Sequence, residues 1–315
     1  MKVVLNRQIG AWLGAASVGE RAVASPGTCG LDVSQRRFRR REFIATIAGA
    51  AAWARRGRVQ AQARSFDDLL KALQTDAELV DAMRTKSSDA TEVGLERAPL
   101  RAPKSNTPIS QRASELIVAC EVSGKALYEA RYRSPTWPRG QSGITIGIGY
   151  DIGYVTPQQL GGDWTAYVAA QAIELLAEAC GVTGLRANAV LAQLQGHVDI
   201  GWSTALRQFE QELRPRYVGE TEKALPNSER LNADCLGALV SIVYNRGASF
   251  GIEGDRYKEM RAIKAHMAQR AFDRIPAEIR AMEHLWRDDP SMRGVVLRRE
   301  AEAALFEIGM KAMRP

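Results

Sequence analysis

Glu121 is the residue of this chain whose predicted position best suits proton transfer. It falls at the expected end of a helix, three residues before Gly124 and ahead of a short predicted sheet. A carboxyl group at the floor of a cleft between helix and sheet can hold a proton and donate it as a general acid. A lone glutamate at a helix end is usually solvated, so the assignment depends on its surroundings.

The elements that would position Glu121 can be predicted from the hydrophobic pattern. Pro108 marks a helix start, and an apolar stripe at helical spacing follows over 113–120. Isoleucines that alternate with glycine or threonine predict a strand within 142–154. After Pro157 nearly every segment favours helix, with six or more helices expected. The predicted fold class is α+β: mostly helical, with one small antiparallel sheet beside the helix that carries Glu121.

Three sequence blocks carry a family resemblance. Glu121, Tyr128 and the Thr-Ile-Gly-Ile-Gly-Tyr run at 145–150 resemble the catalytic segment of phage-type lysozymes, glycoside hydrolase family 24. The segment 231–247, which ends in Tyr-Asn-Arg-Gly, is similar to the central helix of that family. The segment 294–302 is similar to its closing Gly-Leu-x-x-Arg-Arg-x-x-Glu helix. The blocks occur in the family's order, and the resemblance covers about two thirds of the chain.

The resemblance implies a lysozyme-like fold and a role for each matched residue. Glu121 would be the general acid that protonates the glycosidic oxygen. Thr145 would hold the water or the sugar at the opposite face. One of two neighbouring arginines would lie near Glu121 and tune it. The residues expected along the substrate cleft are Tyr128, Asn245, Arg298 and Arg299, of which Tyr128 could equally be a packing residue.

The chain departs from the family at the second carboxylate. The family places an acid two residues after the tyrosine, and this chain has Ala130 there. We expect Asp151 to serve as the second carboxylate, with Glu129 as the next choice. If neither serves, a single acid could cleave the bond while the substrate's own hydroxyl attacks, as in lytic transglycosylases. Trp137 lies in the loop between helix and strand, and its indole face could stack on a sugar ring.

The charge distribution argues against a nucleic-acid partner. The 315 residues are 45% hydrophobic and 25% charged, with a formal net charge of +7. Residues 1–64 hold 12 basic and 3 acidic residues, whereas the remainder holds 31 basic and 33 acidic residues. The excess of positive charge therefore belongs to the N-terminal segment and does not predict a basic face on the folded domain.

The N-terminal segment resembles a twin-arginine export signal. Arg40 and Arg41 precede an apolar run of 12 residues at 43–54, and small residues stand at Ala61 and Ala63. The run is shorter than the ~20 residues that span a membrane. We expect a targeting segment over 1–63, a short helix and linker over 64–106, and the catalytic domain over 107–315. The twin-arginine export machinery is then a partner, and the location is periplasmic or secreted.

The cysteines and histidines indicate neither a metal centre nor a hydrolase triad. Cys120, Cys180 and Cys235 have no Cys-x-x-Cys spacing, and we expect buried free thiols. The three histidines are isolated from any serine or cysteine motif. We therefore expect no metal ion and no organic cofactor.

Together these features predict a monomeric, exported peptidoglycan hydrolase that cleaves the bond between N-acetylmuramic acid and N-acetylglucosamine. Its partners would be glycan strands of the cell wall. One alternative is a catalytically silent peptidoglycan-binding protein, which Ala130 favours. Another is a helical scaffold linked to export, for which no groove is expected at Glu121.

Overall fold

The computed structural model describes residues 64–76, 78–79 and 101–313. The chain divides into two units between Ala61 and Gln62, so the described residues belong to the second unit. The targeting segment predicted at 1–63 therefore lies outside the described residues, and so does most of the linker predicted before residue 107.

Helices dominate the described part of the chain. Side-chain caps fix several of their starts, because the first amide groups of a helix lack partners within it. Ser65 accepts from Asp68 N at 3.2 Å, and Ser110 accepts from Ala113 N at 3.1 Å. The second cap starts its helix at Gln111, later than Pro108 suggests. The α-helices α1 to α12 are Phe66–Thr75, Gln111–Val122, Lys125–Arg131, Pro157–Trp164, Ala170–Ala177, Leu185–Leu194, Trp202–Gln208, Arg214–Ala224, Ala233–Arg246, Lys258–Gln269, Ile275–Ala281 and Arg293–Ala312.

One two-stranded antiparallel sheet is present among the described residues. Strand β1 is Thr145–Ile146 and β2 is Tyr150–Asp151, with Thr145 opposite Asp151. The intervening turn needs positive φ at Gly147 (56°) and Gly149 (74°), a conformation that glycine adopts without strain. The prediction of a mostly helical protein with one small antiparallel sheet is confirmed.

Two hydrophobic clusters form the core, and α2 and α9 contribute to both. Leu116 of α2 packs in the cluster around α12, whereas its neighbour Ile117 packs in the cluster around the β-hairpin. On α9, Leu239 packs in the cluster around α12 and Leu236 packs in the cluster around the β-hairpin. These two helices therefore join the hairpin side of the molecule to the α12 side.

Helix α1 belongs to this core. Its apolar residues Phe66, Leu69, Leu70 and Leu73 are buried in the α12 cluster. The end of the predicted linker also packs against the domain, since Ser105 N donates to Pro215 O at 2.9 Å. The second unit spans Gln62–Pro315 and so includes helix α1. No helix of the described ranges is long and apolar enough to cross a membrane.

Candidate active site

Glu121 lies where helix α2 meets the β-hairpin. It stands in the last turn of α2, and its side chain is 16% exposed. Gly149 of the hairpin turn leaves room for its carboxylate: a Cβ atom there would lie 2.7 Å from Glu121 Oε2. Both residues line an open cleft of about 850 Å³, and this cleft also receives residues from α8, α9 and α12. The carboxyl group can therefore meet a ligand that enters the cleft.

Arg298 of α12 contacts the Glu121 carboxylate from the protein interior. Its Nη1 donates to Glu121 Oε1 at 2.9 Å, its Nε donates to Glu302 Oε1 at 3.2 Å, and its Nη2 donates to the Ser241 carbonyl at 2.9 Å. The guanidinium is 2% exposed. Buried charges of this kind persist only when paired and hydrogen bonded, as Arg298 is. The expectation that one of the two neighbouring arginines lies near Glu121 is confirmed for Arg298.

Arg299 occupies a different place from the one predicted. It is fully buried and does not line the cleft, so it cannot contact a substrate there. Its Nη2 donates to Asn245 Oδ1 at 2.9 Å and to Glu302 Oε1 at 3.2 Å. Asn245 itself lines the cleft as expected. Arg299 therefore orients Asn245 from behind, and the prediction that it binds substrate is corrected.

Thr145 and Asp151 stand opposite each other on the hairpin and both line the cleft. The Asp151 carboxylate is engaged with backbone amides: it accepts from Gly143 N at 3.1 Å and from Gly153 N at 2.8 Å. A Cβ atom at Gly143 would lie 2.6 Å from Asp151 Oδ1, so only glycine fits that position. Asp151 thus ties together the loop that carries Thr145.

Tyr128 does not reach the cleft. It is fully buried, its hydroxyl donates to the Ile200 carbonyl at 2.8 Å, and its ring packs edge-on against Trp202 at 5.5 Å. The buried hydroxyl is satisfied by the protein itself, as buried polar groups require. The role of Tyr128 in binding substrate was therefore wrongly predicted, and the packing alternative holds.

Trp137 and Glu129 also lie outside the residues that line the cleft. Trp137 Nε1 donates to the Ser142 carbonyl at 3.0 Å, which fixes the loop before β1. Glu129 Oε1 accepts from Trp202 N at 2.9 Å and therefore caps α7. Neither position supports the predicted sugar contact of Trp137 or the use of Glu129 as the second carboxylate.

A polar cluster that the sequence did not reveal supports the wall beside the hairpin. Asp163 is buried, and its carboxylate accepts from the Tyr150 hydroxyl at 2.7 Å and from Arg101 and Arg216. Burial and the Asp163 charge raise the pKa of the Tyr150 hydroxyl. Since its members come from four distant segments, no local pattern indicates this cluster.

Glu220 of α8 is a further carboxylate in the cleft that sequence analysis missed. It lines the cavity and forms no hydrogen bond with another described residue. Burial raises the pKa of Glu220, against the opposing effect of Arg216 and Arg101.

The rings of Tyr217 and Tyr244 pack with their centroids 4.3 Å apart, and the Tyr244 hydroxyl donates to the Ile148 carbonyl. The aromatic pair thus links α8 and α9 to the hairpin.

The three described cysteines are free; Cys120 and Cys235 are buried as predicted, whereas Cys180 is only half-buried. Cys120 precedes Glu121 but is buried, and burial raises the pKa of its thiol to about 12. Such a thiol is unreactive at neutral pH. Among the residues that the structure describes, no group of three or more histidine, cysteine or acidic side chains is arranged to hold a metal ion.

Comparison with known proteins gives no family assignment. No protein-family model matches this chain, and no curated protein matches its sequence.

Proposed function

We propose that this protein is a peptidoglycan hydrolase on a lysozyme-like fold and that Glu121 is its general acid. The observation that carries the proposal is the meeting of three separate sequence blocks at one point of an open cleft. Glu121 ends α2, Gly149 packs against its carboxylate from the hairpin, and Arg298 donates to it from α12. Asn245, at the end of the central block, lines the same cleft.

The contacts of Glu121 define how it would act. Arg298 occupies Oε1, so the transferred proton is assigned to Oε2, on the hairpin side. Donation of this proton to the glycosidic oxygen would let the bond break as the sugar becomes oxocarbenium-like. We assign Thr145 the role of holding the attacking water, because Thr145 lies on the hairpin and lines the wall of the cleft.

Asp151 is assigned a positioning role rather than that of the second catalytic carboxylate. Its oxygens accept the amides of Gly143 and Gly153, which hold the loop around Thr145. Among the described residues, the cleft then has one further carboxylate, that of Glu220. The substrate class, the periplasmic or secreted location, the export by the twin-arginine route and the monomeric state are parts of the same proposal.

A catalytically silent wall-binding protein is the second candidate. It is favoured by Ala130, which stands where the family has its second acid, and by the backbone contacts of Asp151. The cleft would then hold a glycan strand without cleaving it. A lytic transglycosylase, with one acid and an attacking substrate hydroxyl, is the catalytic variant of the same site.

One experiment separates these activities. The full-length chain is incubated with purified peptidoglycan sacculi, and the soluble products are identified by mass spectrometry. Reducing muropeptides are expected for the proposed hydrolase. Anhydro-muropeptides would instead assign a transglycosylase. Co-sedimentation with sacculi without any release of products would assign the silent binder. The absence of both release and co-sedimentation would contradict the proposal.

A further inference from the structure

The cleft carries an excess of positive charge away from Glu121. Its lining includes seven basic residues but three acidic ones: Arg101, Arg216, Lys223, Arg246, Arg256, Lys264 and Arg298 against Glu121, Asp151 and Glu220. Arg298 is paired with Glu121, and Arg101 and Arg216 are paired with Asp163. The unbalanced charge therefore lies in the remaining four residues.

Arg246 is the most constrained of these four. Its Nε and Nη1 atoms are buried and have no hydrogen-bond partner, while its Nη2 donates to the Arg256 carbonyl at 2.7 Å. Its guanidinium lies over the rings of Trp286 and Tyr257, at 5.1 Å and 5.6 Å from their centroids. These two cation–π contacts hold the guanidinium, and its Nε and Nη1 donors stay without a partner.

Among the described residues no carboxylate forms an ion pair with Arg246, although the charge of the buried Glu259 acts on it. Arg246, Arg256 and Lys264 form no ion pair with a described acidic side chain. Burial and repulsion from Arg299 and Arg256 lower the pKa of Arg246 to about 10, so it stays charged at neutral pH. Glu259 acts on it weakly, but this carboxylate does not line the cleft and contacts His284 Nε2 at 3.1 Å. Unsatisfied buried donors and an unpaired charge are costly, and a bound anion would satisfy one of the two donors and neutralise the charge.

We infer that Arg246, Arg256 and Lys264 form an anion subsite that takes a carboxylate carried by the glycan strand whose backbone lies at Glu121. A planar carboxylate matches the fork of a guanidinium and can accept two of its hydrogen bonds. The inference rests on the proposed function, because the same cleft must hold both the scissile bond and the charged group. Wall polymer supplies such carboxylates on its peptide stems and, once the stems are removed, on the lactyl group of the sugar.

The test compares three sacculus preparations at low salt with the full-length chain. One is native, one has its carboxylates converted to neutral amides by carbodiimide coupling, and one has its stems removed by an amidase, which leaves lactyl carboxylates. Both muropeptide release and co-sedimentation are measured. The variants are Arg246→Met and the milder Lys264→Gln, whose side chain is exposed so that the fold is not at risk. Lys71→Gln, exposed on α1 and outside the cleft, is the matched control.

The parent should bind and process native sacculi about tenfold better than amidated ones, the size expected for one charge-assisted bidentate contact. Arg246→Met and Lys264→Gln should lose most of this preference, measured as the ratio of native to amidated sacculi processed by the same variant, and Lys71→Gln should keep it. If the parent prefers stripped sacculi to amidated ones, the bound carboxylate is that of the lactyl group. If the parent treats stripped and amidated sacculi alike, the bound carboxylate is that of the peptide stem.

An active parent that binds native and amidated sacculi equally well, and releases muropeptides from both at the same rate, would overturn the subsite and leave the hydrolase proposal intact. An inactive parent that still prefers native sacculi in co-sedimentation would retain the subsite and overturn the hydrolase. Parental selectivity in Arg246→Met and Lys264→Gln would also overturn the subsite.

Discussion

Gly149→Ala is the substitution that most sharply probes the placement of Glu121. A Cβ atom at this position would lie 2.7 Å from Glu121 Oε2, whereas ordinary contact begins at 3.4 Å. The carboxylate must therefore move by ~0.7 Å, and a misplacement of about 1 Å can cost ~100-fold in rate. The residue also has φ +74°, so an alanine there costs about 1–2 kcal/mol in backbone strain.

Gly181→Ala is the matched control for Gly149→Ala. Gly181 has the same φ of +74°, but a Cβ atom there would meet no atom within 4 Å. Both variants should lose similar free energy of unfolding in urea titrations, and only Gly149→Ala should lose about 100-fold in release of muropeptides from sacculi. Parental activity in Gly149→Ala, with equal destabilisation of the two variants, would refute the placement of the proposed catalytic acid against this turn.

Three further substitutions test the surrounding structure. Arg298→Met leaves the Glu121 carboxylate without its arginine partner and removes one of the two arginines from the buried Glu302, so it should lower the free energy of unfolding by about 3–5 kcal/mol; a loss below 1 kcal/mol in urea titration would contradict the network. Tyr128→Phe removes the hydrogen bond to Ile200 O and should cost about 1 kcal/mol while muropeptide release stays parental, and a large loss of rate would restore Tyr128 to the cleft. Burial and repulsion from Glu300 raise the pKa of Glu283 to about 7. Its folded state then binds a proton more tightly than its unfolded state, so stability should fall as the pH rises from about 4.5 to 7. Glu283→Gln should flatten this part of the profile of melting temperature against pH, and an unchanged slope would contradict the assignment.

The sequence motifs predicted one long-range contact of the candidate site correctly. Glu121 and Arg298 are 177 positions apart, yet the family-like blocks indicated that they meet, and the structure joins them at 2.9 Å. The alternation of isoleucine with glycine likewise predicted the small sheet. The spacing of hydrophobic residues and the residue types are enough to predict such features, because the features depend on local backbone preference and on a recognisable motif.

The errors share a physical origin. Tyr128 and Arg299 lie within matched motifs, but a motif does not say which side of an element faces the cleft, and both face the core. Glu220 and Asp163 were missed because a single acid on a helix has no local signature. Their importance arises only when distant helices bring them to the wall of the cleft or surround them with arginines.

The helix at 66–75 illustrates the same limit. Its cap and apolar spacing were predictable, but its packing against α12 depends on a surface formed more than two hundred residues later. The sequence therefore predicts the helix but not its burial in the core.

The central claim is that Glu121 donates the proton for glycan cleavage, and Glu121→Gln tests it most directly. The glutamine keeps an oxygen that can accept the Arg298 hydrogen bond, so the cleft should stay intact. The full-length parent and variant are compared for binding to purified sacculi and for release of soluble muropeptides. The account predicts equal co-sedimentation of the two proteins and release by the parent alone. Release by Glu121→Gln at the parental rate would contradict it.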